Sequence, residues 1–330
     1  MKVLGKTGLE VFEIGCGGIP IQRITQAEVS LMVDAMVENK VNFIDSARGY
    51  SNSEELFGEA LKGRRKKFIL ATKSMSRSYE AMKKDIEISL NNFQTDYIDI
   101  YQLHNVSINE DYSGAYRALV EAKSQGKVRH IGVTTHSLEF LKKAIDEDVF
   151  ETIQFPYNII ERQAEKTFCD ASNKNIGIIV MKPLAGGAID CVETALKFLL
   201  KNNTIDVIIP GMESARQVYQ NCSCVSQEYT EQDIENENNI VKTLNTDFCR
   251  RCGYCMPCAV GINIPFSFLC EGYFSRYNLK EWSKERYNAM KVKPSSCIEC
   301  GVCEKKCPYN LKIREKLKKV VSIMEDNCEN

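Results

Sequence analysis

Two cysteine runs in the last third of the chain carry its most specific chemical signal. Cys297, Cys300 and Cys303 stand at successive spacings of three, and Cys307 follows after four with Pro308 behind it. Cys249, Cys252, Cys255 and Cys258 keep the spacing of three throughout, with Ala259 where the later run has its proline. Thiolates so placed ligate soft metals, either in iron-sulfur clusters or around tetrahedral zinc. Three cysteines at consecutive spacings of three, twice over, fit zinc poorly, and eight grouped thiols suggest two 4Fe-4S clusters. Such ligation needs a reducing compartment and argues against disulfides.

A second constellation is spread through the first third. Asp45 and Tyr50 follow the apolar run Asn42-Phe43-Ile44, Lys73 follows Phe68-Ile69-Leu70, and His104 closes Ile100-Tyr101-Gln102-Leu103. A carbonyl taking up hydride develops negative charge on oxygen and needs a proton donor within hydrogen-bond reach. Tyr50 is a candidate donor. A phenol, with its ordinary pKa of about 10, becomes a better acid beside an ammonium, which Lys73 would supply. Asp45 would hold Lys73 charged and in place, and His104 would orient the carbonyl oxygen through a ring nitrogen. Singly, each of these is an ordinary polar residue; together they stand at the ends of three successive apolar runs.

The elements that would position them repeat along the chain. From residue 11 to about 225, short apolar runs alternate with stretches of helical period. Strands are predicted at 11–16, 42–46, 68–73, 97–104, 130–134, 152–156, 177–182 and 206–210, with helices such as 26–39, 53–62, 78–93, 112–125 and 137–147 between them. Eight such units indicate an α/β fold, a (β/α)8 TIM barrel, with an open doubly wound sheet as the alternative. In a barrel the C-terminal strand ends form the rim where chemistry sits, and that is where Asp45, Tyr50, Lys73 and His104 would fall. The acidic stretch 229–245 reads as a linker helix, so the expected domains are a barrel at 1–228 and a small, mainly helical cysteine domain at 246–330.

The chain has 330 residues, 44% of them hydrophobic, enough for a large domain and a small one. Its 43 Lys and Arg nearly balance 44 Asp and Glu, so overall charge calls for neither nucleic acid nor a membrane surface. No apolar signal segment follows Met1 and no run approaches a membrane span, which predicts a cytoplasmic protein with a small molecule or another protein as partner.

The phrases Phe43-Ile44-Asp45-Ser46-Ala47-Arg48-Gly49-Tyr50, Ala71-Thr72-Lys73 and Asp99-Ile100-Tyr101-Gln102-Leu103-His104 resemble the aldo-keto reductases. The resemblance implies Tyr50 as proton donor supported by Lys73 and Asp45, with His104 orienting the substrate, and an N-terminal hairpin at 1–10 plugging the barrel. It implies a nicotinamide site as well. Gln154 matches the residue that contacts the carboxamide, Thr134 and Thr135 replace the family's Ser-Asn pair, and Met181, beside Lys182, replaces its stacking Tyr. Phosphate contacts would fall on the loops containing Leu184, Gly186, Gly211, Glu213, Gln217 and Asn221, where helix N-termini bind anions. Gly211 and Gln217 occupy places where many NADP-specific members carry Lys and Arg, and Glu213 would repel a 2'-phosphate, so NAD is expected over NADP. With the stacking residue missing, a flavin in the same cradle is an alternative.

The later cysteine run is that of bacterial ferredoxins, in which three thiolates take one cluster and the fourth serves the other. By that rule Cys249, Cys252, Cys255 and Cys307 would hold one cluster and Cys297, Cys300, Cys303 and Cys258 the other, with Cys270 as substitute should Cys258 be out of reach. The phrase from Cys297 to Pro308, followed by Leu311-Lys312-Ile313-Arg314, resembles the ferredoxin-fused branch of the aldo-keto reductases, mostly from anaerobes. What this implies is an oxygen-sensitive oxidoreductase acting on a carbonyl or alcohol substrate, with electrons exchanged through the clusters and a ferredoxin-type donor. Two alternatives stand beside it: a conventional NAD(P)H-dependent carbonyl reductase with structural clusters, and a redox-sensing or electron-carrier subunit.

Overall fold

The structure, a computed structural model, describes residues 1–325. β1 (Lys2–Val3) and β2 (Glu10–Val11) pair antiparallel as a hairpin. Strands and helices then alternate: β3 (Cys16–Gly17), α1 (Gln26–Glu38), β4 (Phe43–Asp45), α2 (Ser53–Ala60), β5 (Ile69–Ser74), α3 (Tyr79–Asn92), β6 (Ile98–Leu103), α4 (Ser113–Ser124), β7 (Val128–Thr134), α5 (Leu138–Glu147), β8 (Thr152–Pro156), α6 (Glu165–Asn173), β9 (Gly177–Met181), α7 (Val192–Leu200), β10 (Val207–Ile209) and α8 (Ala215–Ser223). β3 to β10 pair parallel in chain order, because each helix carries the chain back to start the next strand in the same direction. Parallel bridges from Ile14 to Ile208 and from Gly17 to Gly211 join the first strand to the last. The sheet is therefore an eight-stranded (β/α)8 barrel, and the open-sheet alternative falls.

Side-chain alternation fills the barrel. Phe43, Ile69, Ala71, Ile100, Ile179, Val207 and Ile209 form one buried cluster with Leu4 and Val11 of the hairpin segment. Here the first predicted strand needs correcting: Val11 pairs with Lys2, and β3 is confined to Cys16 and Gly17. Val11 is spent on the plug. The plug approaches the start of β9 so closely that a Cβ on Gly5, whose φ is +46°, would come within 2.2 Å of the Gly177 nitrogen. Only glycine meets both demands. Outside the barrel, Thr25 and Glu28 form a capping box on α1, while Ser78, Ser137 and Ser214 cap α3, α5 and α8 through their side chains. Each cap supplies an acceptor to an N–H that the helix leaves unbonded, a contribution of about 1 kcal/mol.

The chain divides into two compact units, one of Met1–Leu184 with Cys191–Asp233, the other of Ala185–Asp190 with the chain from Ile234 onward. The second contains most of α9 (Glu231–Leu244), then α10 (Ile264–Ser275), α11 (Lys280–Asn288), α12 (Val302–Lys305) and α13 (Ile313–Met324). α13 turns Ile313, Leu317, Val320 and Met324 inward at helical spacing, onto a core with Ile262, Ile264, Phe268, Cys270 and Tyr287. Among the described residues no helix is long and apolar enough to cross a membrane.

Candidate functional site

Strand parity places the first group of polar side chains. Lys73 follows Ile69 and Ala71 on the inward face of β5, and Asp45 follows Phe43 on β4. Above the apolar layers these two meet: Lys73 Nζ bonds Asp45 Oδ2 and donates to the Ser46 carbonyl at 2.7 Å. Both are almost wholly buried, at 1% and 2% exposure. Burial pulls the Lys73 ammonium below its ordinary value, and the Asp45 carboxylate pulls it back. Without that carboxylate the buried charge would have no counterion. Gln102 and Gln154, each nearly inaccessible, donate to Asp45 at 3.1 and 3.2 Å and complete its shell.

Tyr50 and His104 are half-buried and adjoin this pair. Lys73 Nζ lies 5.2 Å from the centroid of the Tyr50 ring, and the Tyr50 and His104 rings meet edge to face with centroids 6.1 Å apart. The four residues named from the sequence are thus brought together, with a buried ion pair behind two solvent-reachable rings.

The loop carrying Tyr50 is fixed by residues that the sequence reading did not mark. Arg48 N donates to the Lys73 carbonyl at 2.9 Å, and the Arg48 guanidinium pairs with Glu54 at 2.5 Å. Glu54, 1% exposed, also accepts from Thr72 at 2.7 Å, Ser89 at 2.9 Å and Asn92 at 3.2 Å. A carboxylate on the buried face of α2 was the available signal, since such a charge must be paired. Gln102 shares the parity of His104 on its strand and could have been found the same way.

The residues assigned to nucleotide binding are mostly engaged with the protein itself. Thr134 Oγ1 accepts from Asn105 N at 2.8 Å; Thr135 Oγ1 donates to the Val106 carbonyl and accepts from Ser137 N. Gln154 directs its amide at Asp45, while its buried Oε1 has no hydrogen-bond partner among the described residues. Met181 ends β9 half-buried against the barrel core, and Lys182 and Leu184 follow it. Gly186 belongs to the second unit, where its carbonyl accepts from Arg276 Nε at 3.0 Å. Gly211 is exposed beside β10, Gln217 accepts from Glu213 N at 2.8 Å, and Asn221 is 4% exposed on α8. Glu213 pairs with Arg23 at 2.5 Å, so a guanidinium stands beside the acid that was expected to repel phosphate.

In the second unit the eight clustered thiols line two cavities. One is lined by Cys258, Cys297, Cys300 and Cys303, the other by Cys249, Cys252 and Cys307, and Cys255 lines both. Each cavity draws on both runs. Thiols converging on a mainly apolar hollow are the donor set that an iron-sulfur cluster requires, so these residues fit the group. Cys270 lies at 0% exposure in the core and lines neither cavity. Elsewhere, Cys169 is exposed on α6, unlike buried Cys16, and His130 Nδ1 hydrogen-bonds Glu151 Oε1 at 2.6 Å as a structural contact.

A parallel (β/α)8 barrel with polar side chains gathered at its C-terminal strand ends, joined to a thiol-rich helical unit, defines an oxidoreductase of barrel type. Residues 13–192 match the aldo/keto reductase family and residues 248–312 match a 4Fe-4S dicluster domain, and the chain belongs to the aldo/keto reductase family. It is similar to the uncharacterized oxidoreductase YqkF of Bacillus subtilis (26% identity over 235 residues, 66% of this chain and 76% of the relative). It is also similar to L-galactose dehydrogenase of Arabidopsis thaliana (25% over 281 residues, 69% and 88%). Among solved structures it resembles the aldo-keto reductase AKR11C1 from Bacillus halodurans, with TM-score 0.64 and 25% identity over 72% of this chain and 94% of that one.

Proposed function

We propose that the barrel, residues 1–228, reduces a small-molecule carbonyl or oxidises the matching alcohol at Tyr50, Lys73, Asp45 and His104, and that residues 246–330 exchange electrons through two 4Fe-4S clusters. The observation that supports this reading best is Lys73: a buried ammonium held by Asp45 and set 5.2 Å from the Tyr50 ring. An ammonium there stabilises a phenolate, so Tyr50 gives up its proton to the carbonyl oxygen as negative charge builds on it. His104 donates an imidazole N–H to the same oxygen, and Asp45 keeps Lys73 charged and aimed. A bound NAD or NADP would supply the hydride. Gln154, Thr134, Thr135, Met181 and Lys182 are the residues proposed to border its nicotinamide, and Leu184, Gly211, Gln217 and Asn221 its phosphates. Because Arg23 neutralises Glu213, that acid no longer favours NAD over NADP.

In the second domain Cys249, Cys252, Cys255 and Cys307 would hold one cluster, and Cys258, Cys297, Cys300 and Cys303 the other. A ferredoxin-type protein would deliver electrons to them in a reducing cytoplasm. The test mixes anaerobic protein, its clusters reduced beforehand, with candidate carbonyls and no free nicotinamide, and follows cluster absorbance through one turnover. Reoxidation by a carbonyl, slowed by orders of magnitude in Tyr50→Phe but unchanged with a nonspecific dye, is the expected result. Clusters that stay reduced in protein that turns over normally with NADH or NADPH would overturn the electron path and leave the barrel chemistry standing.

A further inference from the structure

The two thiol cavities differ in what they show to solvent. Ile298 and Val302, 64% and 45% exposed, line the cavity of Cys258, Cys297, Cys300 and Cys303, together with exposed Pro257 and Ala259. Among the described residues lining the cavity of Cys249, Cys252 and Cys307, Pro308 is the one exposed apolar residue of that kind. Cations stand beside the first rim. Lys305 and Lys306 follow Val302 at three and four positions on the turn of α12, and the Lys306 N–H donates to the Val302 carbonyl at 3.3 Å. Residues at that spacing share a side of the turn. Both lysines are exposed, and neither makes an ion pair among the described residues. The neighbouring acids are already answered, Glu299 by Lys318 at 2.9 Å and Glu304 by Arg314 at 2.7 Å.

We infer that this face docks an acidic one-electron carrier protein, so that electrons enter at the cavity of Cys258, Cys297, Cys300 and Cys303. The inference rests on the proposed electron path and adds to it the surface of entry. The reduced carrier loses one electron and this chain gains it; no bond is made or broken and no proton moves. An exposed apolar rim flanked by unanswered cations suits a partner with an apolar contact ringed by carboxylates, which charge steers into place. A second copy of the chain suits it poorly, because a two-fold contact would set Lys305 and Lys306 against their own equivalents.

The test is calorimetric titration of anaerobic holoprotein with a plant-type 2Fe-2S ferredoxin, an acidic carrier, and with cytochrome c, a basic one. Iron and sulfide are measured on the same sample. Ferredoxin should bind at one per chain, more weakly as salt rises, and cytochrome c should not bind. Lys305→Glu combined with Lys306→Glu should weaken ferredoxin by about tenfold. Cluster absorbance should be unaltered, because neither lysine lines a thiol cavity. Lys66→Glu combined with Lys67→Glu, an equal change of charge at exposed positions of the barrel unit, should leave binding as it was. Ferredoxin weakened equally by both pairs, or cytochrome c bound as tightly as ferredoxin, overturns the docking face. A holoprotein dimer that the Lys305 and Lys306 changes dissociate also overturns it and assigns the face to a second copy. Protein with about eight irons that binds no ferredoxin, while its dithionite-reduced clusters are reoxidised by a carbonyl, overturns this inference and leaves the proposed electron path standing. Ferredoxin bound through the two lysines by protein whose reduced clusters no carbonyl reoxidises has the opposite meaning: the face stands and the path to the barrel falls. Zinc in place of iron overturns both.

Discussion

Gln154 and Asp45, 109 residues apart in the chain, meet inside the barrel, where Gln154 Nε2 donates to Asp45 Oδ2 at 3.2 Å. The side chain that would border a nicotinamide thus also helps to hold the counterion of Lys73. Gln154→Leu removes that donor from a buried carboxylate. The expected result is a fall in kcat of roughly tenfold, the effect of one hydrogen bond to a charged group. A raised KM for nicotinamide with kcat unchanged would show that the contact with Asp45 is idle.

Glu54 has the corresponding role for the Tyr50 loop. Glu54→Gln turns an acceptor of four donors into a group that must itself donate, and leaves Arg48 with only the longer pairing to Asp85 at 3.9 Å. Denaturant unfolding should show a loss of about 3 kcal/mol. Turnover should fall as well, because Arg48 stands two residues from Tyr50.

The two thiol cavities predict separable metal loss. Cys252→Ser and Cys300→Ser should each remove about half of the iron, and the absorbance of the remaining cluster should persist. Cys270→Ala should keep the full complement. Iron loss in the Cys270 variant would reassign the ligand sets.

Asp206 gives a pH test with a definite sign. Burial pushes its carboxyl up from the ordinary 3.8 to about 6, against the opposing Ile178 N–H bond and Lys2. A carboxyl raised on folding binds its proton more tightly in the native state, so its penalty is absent near pH 4, grows through about 6 and is complete above it. Asp206→Asn keeps an acceptor for Ile178 and removes the charge. Its melting temperature should exceed that of the parent by a few degrees at pH 7.5, and the two should converge near pH 4.

The sequence by itself determined the elements and the chemistry-bearing residues that are local in character. Eight apolar runs separated by helical periods leave few solutions other than a parallel barrel, because each strand must bury both faces and each helix must return the chain. The placement of Asp45, Tyr50, Lys73 and His104 at the ends of successive runs was legible for the same reason. So were the cysteine runs, whose spacing is a local property of the chain.

What only the tertiary structure decided is every relationship across strands or between distant segments. Val11 leaves its predicted strand because the hairpin needs its side chain in the plug, a demand set by Leu4 and the barrel floor. Gln154 turns to Asp45, and Arg23 reaches Glu213 from 190 residues away, through registers that alternation alone does not fix. The division of eight thiols between two cavities depends on how the second unit folds around Phe268 and Leu317. The reason is common to all of these: a side chain's partners inside a fold are set by the competition of many groups for the same buried space, and that competition has no trace in spacing along the chain.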